Sequence, residues 1–225
     1  AQGPFVNVSG NVSSTNGGTG NTATATLATN TPPTISSDTI SVKAGSNAAS
    51  FTIGTAADPD QPVNTLGITI NGNPTTATSN GVTVSGVAIQ PSGAVTANVS
   101  TTCAATTATF NLVVTDNQSA TGTGTLTVTV TPNMPPMLTY APQTVTAGTT
   151  PTIPPATGPS DNGTFTIGSV SVSPNNGGLG VLLNQSNGVV TVLNALLIGT
   201  YTVTVPITDN CGATNNAQLI VRESQ

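Results

Sequence analysis

Phe110–Pro136 reads FNLVVTDNQSATGTGTLTVTVTPNMPP. Apolar and polar residues alternate on both sides of a polar Asp-Asn-Gln-Ser segment. A strand, a turn rich in Asn and Gly, and a second alternating strand make a hairpin. Val and Thr dominate both arms, as β-branched residues do on a pleated, half-buried surface. The second arm runs into Asn133-Met134-Pro135-Pro136. A double proline holds the backbone extended and cannot sit inside a ladder, so it reads as a boundary.

The same design occurs twice more. Phe5–Pro33 reads FVNVSGNVSSTNGGTGNTATATLATNTPP and also ends in an Asn-x-Pro-Pro junction, Asn30–Pro33. Tyr201–Val221, YTVTVPITDNCGATNNAQLIV, repeats the hairpin near the C-terminus. Self-similarity of this kind marks tandem units. The junctions divide the 225 residues into an N-terminal extension 1–33, a first domain 34–133 and a second domain 134–225. In the first domain, strands are expected over Thr39–Lys43, Ala48–Thr55, Thr65–Ile70, Val82–Ala88, Ala94–Val99, Thr107–Thr115 and Gly122–Thr131. In the second they are expected over Val145–Ala147, Thr150–Pro154, Thr164–Val172, Gly180–Leu183, Val189–Leu193, Thr200–Thr208 and Ala217–Arg222. Short strands separated by turn signals point to Greek-key β-sandwiches. Only Leu193–Ile198 invites comparison with a helix. The fold class is therefore all-β: two tandem Greek-key sandwiches with an N-terminal strand or hairpin extension.

Composition narrows the function. Lys+Arg number 2, Asp+Glu 7, and there is no His or Trp. Two basic residues cannot neutralise a run of phosphates, which argues against nucleic-acid binding. No apolar run approaches the length that a membrane-spanning helix needs. Without His, and with charged residues at 4%, general acid–base devices are scarce, so no enzymatic role is expected. A surface this poor in charge suits a protein that assembles or carries sugars.

The Pro-Pro entries, Ala57-Asp58-Pro59-Asp60, the Val114-Thr115-Asp116-Asn117 and Ile207-Thr208-Asp209-Asn210 turns, and Thr125–Val130 together resemble tandem bacterial immunoglobulin-like, cadherin-like domains of surface proteins. The resemblance covers most of the chain. It implies a secreted, extracellular or cell-surface location, and a fold rather than a function.

Within that frame residues 1–33 look like the last two strands of a further sandwich. Phe5, Val6, Val8 and Val12 on one arm, and Ala23, Ala25 and Leu27 on the other, form an apolar set needing cover. A lone hairpin is marginal in water. One reading has it donated to a neighbouring copy of the chain, giving head-to-tail contacts that build a filament. The other has it belong to a longer array or pack on its own first domain.

Cys103 falls before the sixth strand of the first sandwich and Cys211 just after the sixth strand of the second. Those loops lie at facing ends of consecutive sandwiches, so a Cys103–Cys211 disulfide is expected to clamp the two domains. Free thiols and bonds to other subunits are the alternatives. Asp58, Asp60 and Asp116 sit in loops at one end of the first domain, with Asp161 and Asp209 their counterparts in the second. Cadherin-like relatives bind calcium with acids at such ends. The same residues also cap their own turns, and no cofactor is the primary expectation. Sequons occur at Asn7, Asn11, Asn98, Asn117, Asn162 and Asn184, candidate sites for covalent glycans. Lys43 has no evident partner for a crosslink to Asn. Phe51, Phe110, Phe165, Tyr140 and Tyr201 read as core residues rather than as a sugar-binding platform.

Overall fold

The computed structural model describes residues 5–13 and 19–225, with side chains from Ser9, Gly10 and Thr29 onward. β1 (Phe5–Ser13) and β2 (Thr19–Ala28) form a two-stranded antiparallel sheet. Its register sets Val6 opposite Leu27 and Val8 opposite Ala25, and is interrupted between Asn11 and Ser13. The side chains of Phe5, Val6, Val8, Val12, Ala23, Ala25 and Leu27, and those of Asn7 and Asn11, lie outside the described residues.

The chain divides into two compact units. The first ends at Thr131 and omits Lys43–Ser46; the second comprises Lys43–Ser46 and Pro132–Gln225. Unit 1 holds β3 (Thr34–Ile35), β4 (Asp38–Lys43), β5 (Ala49–Ala57), β6 (Gly67–Ile70), β7 (Thr76–Ser79), β8 (Val82–Ile89), β9 (Ala94–Thr101), β10 (Ala108–Thr115) and β11 (Thr121–Thr131). One sheet runs β4-β11-β10-β6 and the other β3-β5-β9-β8-β7. In β10, Ala108, Phe110, Leu112 and Val114 point inward and are buried, as the period-2 pattern demands. Ile53, Ile70, Val82, Val84, Val95, Leu126 and Val128 meet them between the sheets. β11 carries glycine at 122 and 124 because a Cβ there would strike the carbonyls of Pro33 and Ser36.

Unit 2 holds β12 (Met137–Thr139), β13 (Gln143–Thr146), β14 (Thr152–Ile153), β15 (Thr157–Ser160), β16 (Phe165–Ile167), β17 (Ser171–Ser173), β18 (Leu179–Leu183), β19 (Val190–Ala195), β20 (Gly199–Asp209) and β21 (Thr214–Ser224). The main sheet is β13-β21-β20-β16, with β17 also on β20; β14-β19-β18 lies opposite. Its core gathers Leu138, Val190, Val192, Tyr201, Val203, Val205, Ile207, Leu219 and Val221.

The chain is thus all-β, with immunoglobulin-like sandwiches. No α-helix occurs among the described residues; Leu193–Ile198 is the end of β19 and a turn. The strand expected from Thr65 begins instead at Gly67. Val63–Thr65 forms a 3-10 turn, closed by Thr65 Oγ1 on the Pro62 carbonyl at 2.7 Å. The single strand expected over Thr164–Val172 is two, β16 and β17. Both pair with β20, on either side of Pro206, which has no N–H to offer. No helix among the described residues is long and apolar enough to cross a membrane.

Candidate functional site

The turn after β10 and the turn after β20 are built alike. Asp116 accepts the N–H groups of Gln118 and Ala120 through Oδ1, each at 2.8 Å. Asp209 accepts those of Cys211 and Ala213 through Oδ1, again at 2.8 Å. These are Asx-type turns, in which a carboxylate replaces a main-chain acceptor. The other oxygen of each reaches the preceding junction. Asn30 Nδ2 donates to Asp116 Oδ2 at 2.6 Å, and Asn133 Nδ2 donates to Asp209 Oδ2 at 2.6 Å. These amide donors are the leading cause that holds both carboxyls below the usual carboxylate value; the turn N–H groups add to it. Reasoning from sequence singled out the aspartates but not the asparagines. The signal was present, since Asn occupies the first place of both Asn-x-Pro-Pro junctions.

Unit 1 brings Asp58 and Asp60 to the same end as Asp116. Asp58 Oδ1 accepts from the N–H groups of Asp60 and Gln61 at 3.0 Å, and Asp60 Oδ2 from the Thr31 N–H at 2.8 Å. Burial, then the facing Asp60 carboxyl, pushes Asp58 up; Asp60 is held down by its bond to Asp58. Their remaining oxygens, Asp58 Oδ2 and Asp60 Oδ1, are buried without a hydrogen-bond partner among the described residues. Among the described residues no three His, Cys, Asp or Glu side chains are grouped to hold a metal ion. Calcium, the secondary expectation for Asp58, Asp60 and Asp116, would have to compete for four of their six oxygens, which take main-chain and amide donors.

In unit 2 the corresponding acid is Asp161, whose side chain is wholly buried. Its Oδ2 accepts the Gly163 N–H at 2.7 Å and lies 3.7 Å from Lys43 Nζ. Gly163 leaves room for that ammonium, since a Cβ there would collide with it. Asn210 Nδ2 donates to the Gly45 carbonyl at 2.9 Å. Lys43 thus serves an ion pair in this unit.

Cys103 lies in the turn between β9 and β10, and Cys211 in the turn between β20 and β21. Neither is free; both are disulfide-bonded. Asn98, Asn117, Asn162 and Asn184 are all exposed, Asn98 on β9 and the others in turns. Phe110, Tyr140 and Tyr201 are buried and Phe165 packs against the unit 2 core, whereas Phe51 is half-buried. Burial pushes the Tyr140 hydroxyl up to about 12, and it donates to the Gly188 carbonyl.

No family model and no curated protein matches this sequence. Solved structures similar to it include tandem cadherin domains. A protocadherin gamma B7 fragment, extracellular cadherin domains 1–4, is 18% identical with a TM-score of 0.36, covering 91% of this chain and 54% of that one. Mouse cadherin-23 EC22–24 is 17% identical with a TM-score of 0.37, covering 87% and 67%. Drosophila N-cadherin EC1–4 is 14% identical with a TM-score of 0.33, covering 84% and 49%. The chain spans little more than half the length of the protocadherin fragment.

Proposed function

We propose that this chain is a structural subunit of an extracellular filament, polymerising head to tail by donation of its N-terminal segment to the next copy. One observation carries the reading: among the described residues β1 and β2 pair with each other and with no strand of the sandwich sheets. A two-stranded sheet needs a partner surface to be stable in water. A copy of the same chain supplies one repeatedly, and a head-to-tail contact extends without closing. The bonded cysteines fit an oxidising compartment, outside the cytosol or at the cell surface. A Cys103–Cys211 bond would tie the two units into one element able to bear load. Glycans on the exposed sequons would keep its charge-poor surface soluble. Neither catalysis nor a cofactor enters this mechanism, and the partners are copies of the chain, not nucleic acid or membrane.

A second reading has its own support. The Asn-x-Pro-Pro junction is built twice with the same Asn-to-Asp bond, as a serial array would repeat it. On that reading the domains are spacers in a larger cell-surface adhesin, and β1–β2 is the end of another sandwich. Negative-stain microscopy and size-exclusion chromatography separate the two. The filament reading expects long uniform filaments from the full chain and monomers when residues 1–33 are deleted. Monodisperse particles with and without the segment would leave the spacer.

A further inference from the structure

We infer that the free edge and outer face of the β14-β19-β18 sheet in unit 2 accept the β1–β2 hairpin of a second copy. This rests on the reading that the N-terminal segment joins copies, and it names where the segment goes.

The two units differ at one edge. In unit 1, β8 is flanked by β9 on one side and by β7 on the other, with Ala77 paired to Val84. In unit 2 the equivalent strand, β18, has β19 on one side and no strand on the other among the described residues. The link from β17 to β18 is the short turn Pro174–Gly178, and no strand forms within it. The place that β7 fills in unit 1 is therefore open. Exposed edges are ordinarily guarded by charge, proline or a bulge turned outward. β18 reads LGVLL and carries no charge and no proline, and the one irregularity of its ladder, between Gly180 and Val181, leaves the extra residue, Leu193, on the β19 side and not on the free edge. A groove of about 220 Å³ runs beside it, lined by Val170, Val181, Leu182 and Leu183 with Ser169 and Gln185.

The outer faces differ in the same sense. On β8 and β9 of unit 1 the outward residues are Thr83, Ser85, Thr96, Asn98 and Ser100. On β18 and β19 they include Leu182, 60% exposed, and Leu193, 54% exposed. The chain then turns through Leu196, Leu197 and Ile198, at 63%, 50% and 63% exposure. That turn is pinned with its side chains outward: the Leu196 N–H donates to the Gly178 carbonyl at 2.7 Å, and Tyr201 OH to the Leu197 carbonyl at 2.9 Å. Five large apolar side chains exposed on one sheet and the turn that leaves it mark a candidate interaction site.

The hairpin fits it. Among the described residues two pairs stand outside the larger sheets, β1–β2 and β12–β15, and β1–β2 is the one made from the N-terminal extension. Residues 1–33 contain no Asp, Glu, Lys or Arg, so no charge would be buried unpaired against an uncharged patch. Strand addition at β18 would supply the main-chain bonds.

The test uses the full chain with the photo-crosslinker benzoylphenylalanine in place of Leu182, mixed with isotope-labelled copies and mapped by mass spectrometry. Crosslinks to residues 5–28 of another copy are expected. Adding Leu193→Lys, at an exposed position that leaves the fold intact by circular dichroism, should cut their yield on the order of tenfold. Crosslinks joining β18 to β18, crosslinks only within one copy, or a yield that Leu193→Lys leaves unchanged would overturn the assignment. Microscopy of the same samples keeps the two readings apart. Filaments without the 182-to-hairpin crosslink refute this acceptor and leave strand donation standing. Hairpin-crosslinked dimers without filaments uphold the acceptor and end the filament reading.

Discussion

Asn133 holds Asp209 across 76 residues of chain through a 2.6 Å hydrogen bond, and Asn30 holds Asp116 across 86 in the same way. Each pair fixes a Pro-Pro junction to the turn between the last two strands of the unit that follows. The copies differ in one respect. Asn30 Oδ1 accepts from Gln61 Nε2 at 3.3 Å, whereas Asn133 Oδ1 is buried with no partner.

Asn133→Ala should therefore lower the melting temperature, because it takes the side-chain donor from a buried carboxylate. The sign with pH is set by Asp209, whose folded value lies below the ordinary 3.8. Its stabilisation is present above 3.8 and disappears as pH falls through the folded value. Loss of the amide moves that folded value upward toward 3.8, so the variant should lose less stability on acidification and finish losing it at a higher pH. Thermal melts from neutral to acid pH measure both effects.

Glu223 occupies the core-facing place on β21 that Val130 occupies on β11, and both of its carboxyl oxygens are buried without partners. Burial raises it above the ordinary 4.5. A raised carboxyl costs stability once ionised, so the cost is absent below 4.5 and complete above the folded value. Glu223→Val should raise the melting temperature at neutral pH, with a gain that shrinks on acidification. A constant gain across pH would assign the effect to packing alone.

If the two bonded cysteines pair with each other, non-reducing peptide mapping will recover one crosslinked species containing Cys103 and Cys211. Breaking it should cost ~4 kcal/mol on the chain-entropy account, because the bond closes a long loop. Urea unfolding of the Cys103→Ser, Cys211→Ser double variant reads that cost. Recovery of intermolecular peptides would shift the bond to the contact between copies.

Calcium should leave the melting curve unchanged, as should a chelator. The ion wants six to eight oxygens, and those of Asp58, Asp60 and Asp116 are largely committed to main-chain and amide donors. In unit 2 the neighbourhood of Asp161 already holds the Lys43 ammonium. A calcium-dependent rise that Asp60→Asn abolished would show that those oxygens can be recruited.

The strands that carry alternating Val, Leu and Thr were legible almost to the residue: Ala108–Thr115 and Thr121–Thr131 against expected spans of Thr107–Thr115 and Gly122–Thr131. Thr34–Ile35, Thr76–Ser79, Met137–Thr139 and Thr157–Ser160 were not. Segments as short as TATS or TGPS have no period of their own and become strands only because a neighbour offers hydrogen bonds. The aspartates were legible as turn residues, since that chemistry is local. Their bonds to Asn30 and Asn133 span most of a unit: the repeated Asn of the two Asn-x-Pro-Pro junctions marks the donors, but nothing local pairs them with the aspartates. Lys43 is the same case: its acid partner lies 118 positions further on in unit 2. The exposure of Leu193 was hidden because a strand pattern does not say whether anything covers its outer face.

In unit 2 the first strand of the main sheet lies parallel to the last, Gln143 beside Val221 and Thr146 beside Ser224. Traction applied at the two ends of the unit would slide β13 and β21 past each other along their length. The rungs of that ladder then share the load together and do not open one after another. A chain strung end to end would resist stretching at this seam, and the seam's rupture would set the force at which the unit gives way.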